Sequence, residues 1–214
     1  FAADTVVALG DPAAVDEIAR RVVRHVPVRT LLGDPDAVEA FAAHHAPGAP
    51  SVRLLHHSLA VSRPPPTGGA RPLRLASPVD LDALRDASLA MFFEETGAPL
   101  CGERIGGMEA AAEAKIAAGA YWVERDWVND ALLFKASAVV AEPWEAQLEG
   151  IWVAPHARRQ GRARAHVAAI CAELLRSCRR VTLQVRADNA PALALYASLG
   201  FERCGAQEVR FFDP

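Results

Sequence analysis

The sequence predicts an α/β chain in two parts: a small βαβαβ domain over 1–62 and a larger domain of strands and helices over 72–214, joined by a linker at 63–71. Three observations lead there. Leu9-Gly10-Asp11-Pro12 and Leu32-Gly33-Asp34-Pro35 form an internal repeat, each copy preceded by an apolar run and followed by a helical pattern. Arg63-Pro64-Pro65-Pro66-Thr67-Gly68-Gly69-Ala70 joins a stiff proline run to flexible glycines, the composition of a linker. Residues 151–175 read as a strand, a tight turn and a helix with one apolar face.

In the first part the apolar runs 5–9 and 28–32 read as strands. Asp11 and Asp34 suit the N-caps of the helices that follow, with Pro12 and Pro35 as first helical residues. Val15, Ile18, Val22, Val23 and Val26 give the first helix one apolar face. A third strand is expected over 52–61, and short βα units of this kind favour parallel strands. The capping carboxylates repel a second anion, so these helix starts are not expected to bind phosphate. His44-His45 and His56-His57 do not read as a metal site. Neighbouring residues on a strand point to opposite faces, and no Cys or carboxylate cluster stands at ligand spacing.

Beyond the linker, 72–76 reads as a strand. Ser77 or Asp80 caps a helix running to Phe93, and Glu94-Glu95-Thr96-Gly97 closes it into a loop that lasts to about Gly107. A helix is expected over 108–118, a hairpin of 121–125 with 131–140, and a strand over 146–153. Residues 181–186 form another strand. Asn189 caps a short helix over 190–199 that Gly200 ends, and 201–204 and 208–212 finish as two strands.

The stretch Arg158-Arg159-Gln160-Gly161-Arg162-Ala163 carries the most chemistry. Val167, Ile170, Cys171, Leu174, Leu175 and Cys178 make the buried face of the helix it starts. Small residues at a helix start let a ligand approach the backbone, and the unpaired amides and helix dipole favour an anion. The turn therefore fits a phosphate or pyrophosphate cradle; it also fits a solvated basic helix start. The net charge of −3 gives no global attraction to nucleic acid or anionic lipid, and no aromatic residues interleave the arginines. Four cysteines without paired spacing suggest free thiols in a reducing, cytoplasmic setting. No run is apolar enough to suggest a membrane span, and residues 1–10 lack the pattern of a secretory signal.

Two separated segments agree on a family. Val153-x-Pro155 followed by Arg158-x-x-Gly161-x-Ala163 is the first. The second is Leu183-x-Val185, Asn189-x-x-Ala192-x-x-x-Tyr196 and Leu199-Gly200-Phe201. In this order they resemble the GCN5-related N-acetyltransferase (GNAT) superfamily over about 72–214. The whole chain also resembles actinobacterial acetyltransferases with an extra N-terminal domain of unassigned function, through Phe92-Phe93-Glu94-Glu95-Thr96-Gly97 and Leu133-Phe134-Lys135-Ala136. The resemblance implies a GNAT fold, a mixed and mostly antiparallel central sheet with flanking helices, preceded here by the small βαβαβ domain.

It also implies acetyl-CoA as cosubstrate, no metal, and acetyl transfer to a primary amine of a small molecule or peptide by direct attack in a ternary complex. Backbone amides of Arg159, Gln160, Gly161, Arg162 and Ala163 would hold the pyrophosphate, with Arg158, Arg159, Arg162 and Arg164 screening its charge. The exposed edge of Ile151, Trp152 and Val153 would pair with the pantetheine amides like an added strand, where this strand splays from 181–186. Tyr196 matches the position of the acid, and also fits a core tyrosine. Asn189 matches a cofactor contact or a helix cap. A backbone N–H near Val153 would face the thioester oxygen. Glu149 is the candidate base, and period-two alternation sets it on one face with Ile151 and Val153; it also fits an ordinary solvent-facing residue. Glu94, Glu95, Tyr121 and Trp127 are candidates for the acceptor site. A non-catalytic acyl-CoA-binding regulatory module is the alternative function, and a homodimer is an open alternative for assembly. No nucleic-acid or membrane partner is expected.

Overall fold

Each Gly-Asp-Pro repeat ends a strand and starts a helix in the computed structural model, which describes residues 5–22, 28, 30–45, 51–60, 72–97, 99–100 and 102–212. The chain divides into two units: Phe1–His57 with Gln184–Ala194 and Glu202–Pro214, and Ser58–Leu183 with Leu195–Phe201. The expected linker at 63–71 lies outside the described residues, as do Val23 and Val26.

In the first unit β1 (Thr5–Ala8) leads through α1 (Pro12–Val22) to β2 (Thr30–Gly33), and α2 (Pro35–His45) leads to β3 (Ser51–Ala60). Asp11 caps α1: its Oδ1 accepts the Ala13 N–H at 3.1 Å. β1 and β2 pair in parallel, as the pattern favours. The chain's last strand, β9 (Glu202–Phe211), then inserts antiparallel to β2, giving the order β1-β2-β9-β3. The sequence suggests two short strands here, over 201–204 and 208–212. Instead one strand runs through Gly205, where a Cβ would meet His56 Cβ at 3.7 Å, an ordinary contact distance. The core of this unit gathers Ala19, Leu31, Ala37, Val38, Phe41 and Phe212.

The second unit holds β4 (Arg74–Leu75), α3 (Leu81–Thr96), α4 (Glu103–Ala117), β5 (Tyr121–Arg125), β6 (Leu132–Glu142), β7 (Glu145–Val153) and α5 (Arg162–Leu174), followed by β8 (Arg180–Arg186) and α6 (Ala190–Ser198), which both straddle the division. The order is β8-β7-β6-β5-β4, with β4 to β7 antiparallel and β8 parallel to β7. This mixed, mostly antiparallel sheet with flanking helices is the architecture of the GNAT fold. α3 ends where Gly97 takes φ +71 and its N–H bonds the Phe93 carbonyl. α4 begins at Glu103, not Met108. Gly106 and Gly107, read from sequence as loop, lie inside an exposed helical turn.

Cross-strand register sorts the side chains into two faces. Tyr121 opposes Ser137, Val123 opposes Lys135, Lys135 opposes Trp152 and Ser137 opposes Glu149, so these share one face. Helices α3 and α4 cover it, with Leu84, Ala87 and Ile116 packed against Tyr121, Val123 and Trp152. Glu124, Phe134 and Val153 lie on the other face, where α5 sets the His166 ring 4.6 Å from that of Phe134. Under α3, Asp80 is fully buried and held by an Arg74 fork at 2.7 and 2.8 Å and by the Ser77 N–H at 2.9 Å.

Candidate active site

The site is built on a bulge in β7. Between the pairs Lys135↔Trp152 and Ser137↔Glu149 there is one residue on β6, Ala136, but two on β7, Gly150 and Ile151. Gly150 takes φ +59, a conformation that suits glycine. The extra residue reverses the alternation. Glu149 therefore shares its face with Trp152, and the expectation that Glu149, Ile151 and Val153 lie together is corrected. The β7–β8 ladder pairs 145–148 with 180–183 and extends no further, so 149–153 have no β8 partner. Ala154 N–H donates to the Leu133 carbonyl, which makes Phe134↔Val153 a non-hydrogen-bonded pair. The N–H and C=O of Val153 thus point away from β6, toward the open edge. Arg158 Nε occupies that carbonyl at 2.9 Å.

After β7 a short 3₁₀ turn, Pro155–Ala157, leads to Arg159 at φ +62 and Gly161 at φ +71, and α5 begins at Arg162. A left-handed residue directly before a right-handed one, as Gly161 before Arg162, turns successive N–H groups to one side and makes an anion nest. The first N–H groups of α5 lack intrahelical partners, and the helix dipole adds to the attraction. A Cβ at Gly161 would meet nothing within 4 Å, so the concavity in front of it is open. A strand edge with unpaired amide groups followed by an open anion nest fits the pantetheine arm and pyrophosphate of acetyl-CoA.

The four arginines here are not equivalent. Arg158 Nη2 donates to both carboxylate oxygens of Glu94, at 2.7 and 2.8 Å, and Arg164 reaches Ser198 Oγ at 3.4 Å. Arg162 turns inward to Glu124, a carboxylate 3% exposed that also lies 2.6 Å from His166 Nε2. Only the exposed Arg159 has no side-chain partner among the described residues.

On the α3–α4 face of the sheet lies a cavity of 370 Å³. Glu149, Lys115, Ser137, Lys135, Tyr121 and Glu95 supply its polar wall, while Met91, Phe92, Leu100 and Met108 supply much of the apolar one. Glu149 Oε2 accepts from Lys115 Nζ at 2.6 Å, and Lys115 also reaches Ser137 Oγ at 3.3 Å. Lys135, 1% exposed, donates to the Gly150 carbonyl at 3.3 Å. Burial lowers its ammonium to about 8, although Glu95 pulls it back up. Burial raises the Tyr121 phenol, against a hydrogen bond with Ser88.

Of the residues singled out in the sequence, Glu149, Glu95 and Tyr121 meet in this cavity. Tyr196 is buried, its ring 5.8 Å from that of Phe201. Burial pushes its phenol well above the usual value, helped by Cys171 and Glu95, so it stays protonated. Asn189 caps α6, its Oδ1 accepting the Ala192 N–H at 3.2 Å. Glu94 is engaged by Arg158, and Trp127 is 94% exposed in the β5–β6 turn; neither lines the cavity. Lys115 and Lys135 are not among the site residues expected from the sequence, although Lys135 stands in a stretch quoted for the resemblance. A lone lysine in the apolar run Leu132-Leu133-Phe134-Lys135-Ala136 was the available signal. Among the described residues no three His, Cys, Asp or Glu gather where they could hold a metal ion, and no helix is long and apolar enough to cross a membrane.

Residues 80–201 match the model of the Acetyltransferase (GNAT) family, and the chain belongs to that family. Solved structures agree on the fold. A Drosophila protein aligns at 13% identity over 86% of this chain and 61% of its own, with a TM-score of 0.66, so the chain spans about three-fifths of that protein's length. A GNAT-family acetyltransferase from Colwellia psychrerythraea aligns at 15% identity over 93% and 73%, with a TM-score of 0.62. A Clostridium acetobutylicum protein described as a predicted acetyltransferase with acetyl-CoA aligns at 16% identity over 61% and 89%, with a TM-score of 0.51. No curated protein matches the sequence.

Proposed function

We propose that the chain is an acetyl-CoA-dependent N-acetyltransferase that acetylates a primary amine of a small molecule or peptide by direct attack in a ternary complex. The observation that carries this reading is the position of Glu149 beside the β7 bulge, on the wall of the cavity, with the unpaired edge and the helix N-terminus following directly in sequence. Acetyl-CoA would supply a thioester, at whose carbonyl carbon the nitrogen–carbon bond forms as the carbon–sulfur bond breaks.

The chain's own groups have separable tasks. Ile151 offers backbone groups to the pantetheine arm, the Val153 carbonyl being held by Arg158, with Trp152 packed beneath. The amides from Gln160 to Ala163 hold the pyrophosphate, and Arg159 supplies the uncommitted cation. The Val153 N–H points to the open edge and donates to the carbonyl oxygen as it gains charge. Glu149 Oε1, which has no partner among the described residues, accepts the proton that the amine loses. Tyr196, kept protonated by burial, donates a hydrogen bond to the departing sulfur.

The pairing of Glu149 with Lys115 favours a second reading, an acyl-CoA-binding module without turnover, because the candidate base is already engaged. Thiol release from acetyl-CoA across a panel of primary amines separates the two. The transferase shows amine-dependent release that falls about 10²–10⁴-fold in Glu149→Gln. Binding of acetyl-CoA with no amine-dependent release supports the module.

A further inference from the structure

The cavity beside β7 carries an unbalanced positive charge. Its lysines and Arg104 face two carboxylates, Glu95 and Glu149. Lys115 and Glu149 satisfy each other at 2.6 Å. Arg104 lies exposed over the Phe92 ring, 5.5 Å from its centroid. Lys135 is different. It is 1% exposed, it donates to one carbonyl oxygen, and no carboxylate among the described residues lies within ion-pairing distance. Glu95 acts on it only through its charge. An ammonium carries three donors, so the Gly150 carbonyl leaves two available. A buried cation without a counter-ion is unfavourable, which is why burial drives Lys135 down to about 8.

We infer that the acceptor is a small amine that also bears a carboxylate, and that Lys135 binds this carboxylate inside the cavity while the amine meets Glu149. The inference rests on the acetyltransferase reading above. A carboxylate suits one buried ammonium because it brings a single negative charge, whereas a phosphate monoester brings nearly two. Arg104 attracts the same group on entry, and Tyr121 and Ser137 lie on the same wall. The transfer balances as before: the amine nitrogen gains the acetyl carbon, the sulfur leaves, the amine's proton passes to Glu149, and the carboxylate is unchanged.

The test compares ω-amino acids of increasing length with their own primary amides, the amine being identical and the charge removed. The wild type is expected to acetylate the acids with a kcat/KM at least tenfold above that of the amides. That preference is expected to collapse in Lys135→Met, through KM, and to shrink in Arg104→Gln, an exposed change that serves if the first variant does not fold. Equal use of acids and amides, or a preference that Lys135→Met leaves intact, overturns the inference while leaving acetyl transfer standing. If no amine is acetylated, the transferase reading fails instead. Calorimetric titration of the same acids then decides the site: binding tenfold tighter to wild type than to Lys135→Met sustains it, and equal binding overturns it.

Discussion

Lys135 shows how a single side chain sets an expectation for stability. Its folded value of about 8 lies below the unfolded value of about 10.4, so the unfolded chain holds the extra proton between them. Stability therefore rises with pH across that window, and below it the buried charge costs about 3 kcal/mol. Lys135→Met should stabilise the chain by up to about that amount at pH 7, with the gain gone above about pH 11. Urea unfolding at both pH values checks this, and an equal gain at both would show that packing, not charge, is responsible. The arginines divide in the same way. Arg162→Ala takes the guanidinium from the buried Glu124, leaving His166 beside it, and should cost up to about 3–5 kcal/mol. Arg159→Ala should change stability by less than about 0.5 kcal/mol yet weaken acetyl-CoA binding and its dependence on salt. Both are read by unfolding beside calorimetry. The sequence alone could not tell these arginines apart, because what separates them is Glu94 and Glu124, each distant in sequence.

Among the elements, local rules succeeded where structure is local. The Asp11 and Asn189 caps, the two repeat turns and the amphipathic face of α5 were readable because each depends on neighbours a few positions away, whereas neither Ser77 nor Asp80 makes a side-chain cap bond to α3. The bulge in β7 was not, because it exists only relative to β6, and it reversed the faces of every residue after Glu149. The place of β9 was hidden for the same reason: it depends on a pairing with β2 from the other end of the chain. The repeat itself divides on inspection. A Cβ at Gly33 would sit 1.7 Å from the Ala8 carbonyl oxygen, whereas one at Gly10 would meet nothing within 4 Å. Gly33→Ala should therefore disrupt the β1–β2 ladder and destabilise by about 1–3 kcal/mol or more. Gly10→Ala, at φ +96, bears only backbone strain. Thermal unfolding of the two variants should rank them in that order.

At the scale of the whole molecule, two short motifs located the family: the first marks where the backbone opens, a strand edge followed by a helix start with a glycine before it, and the second marks β8 and the capped helix that carries Tyr196. The acceptor cavity had no such signature. Its wall is drawn from α3, α4 and three strands, so Lys115, Lys135 and Glu149 meet only after folding. We propose that the β7–α5 junction holds acetyl-CoA, and Gly161 tests this most directly. At φ +71 with open space before it, this position tolerates Asn, which adopts the left-handed conformation, far better than Val. Calorimetric titration of acetyl-CoA should give one site per chain in wild type, near-native affinity in Gly161→Asn, and at least tenfold weaker binding in Gly161→Val that remains folded by circular dichroism. Undiminished binding in folded Gly161→Val, or no binding by the wild type, would contradict the account.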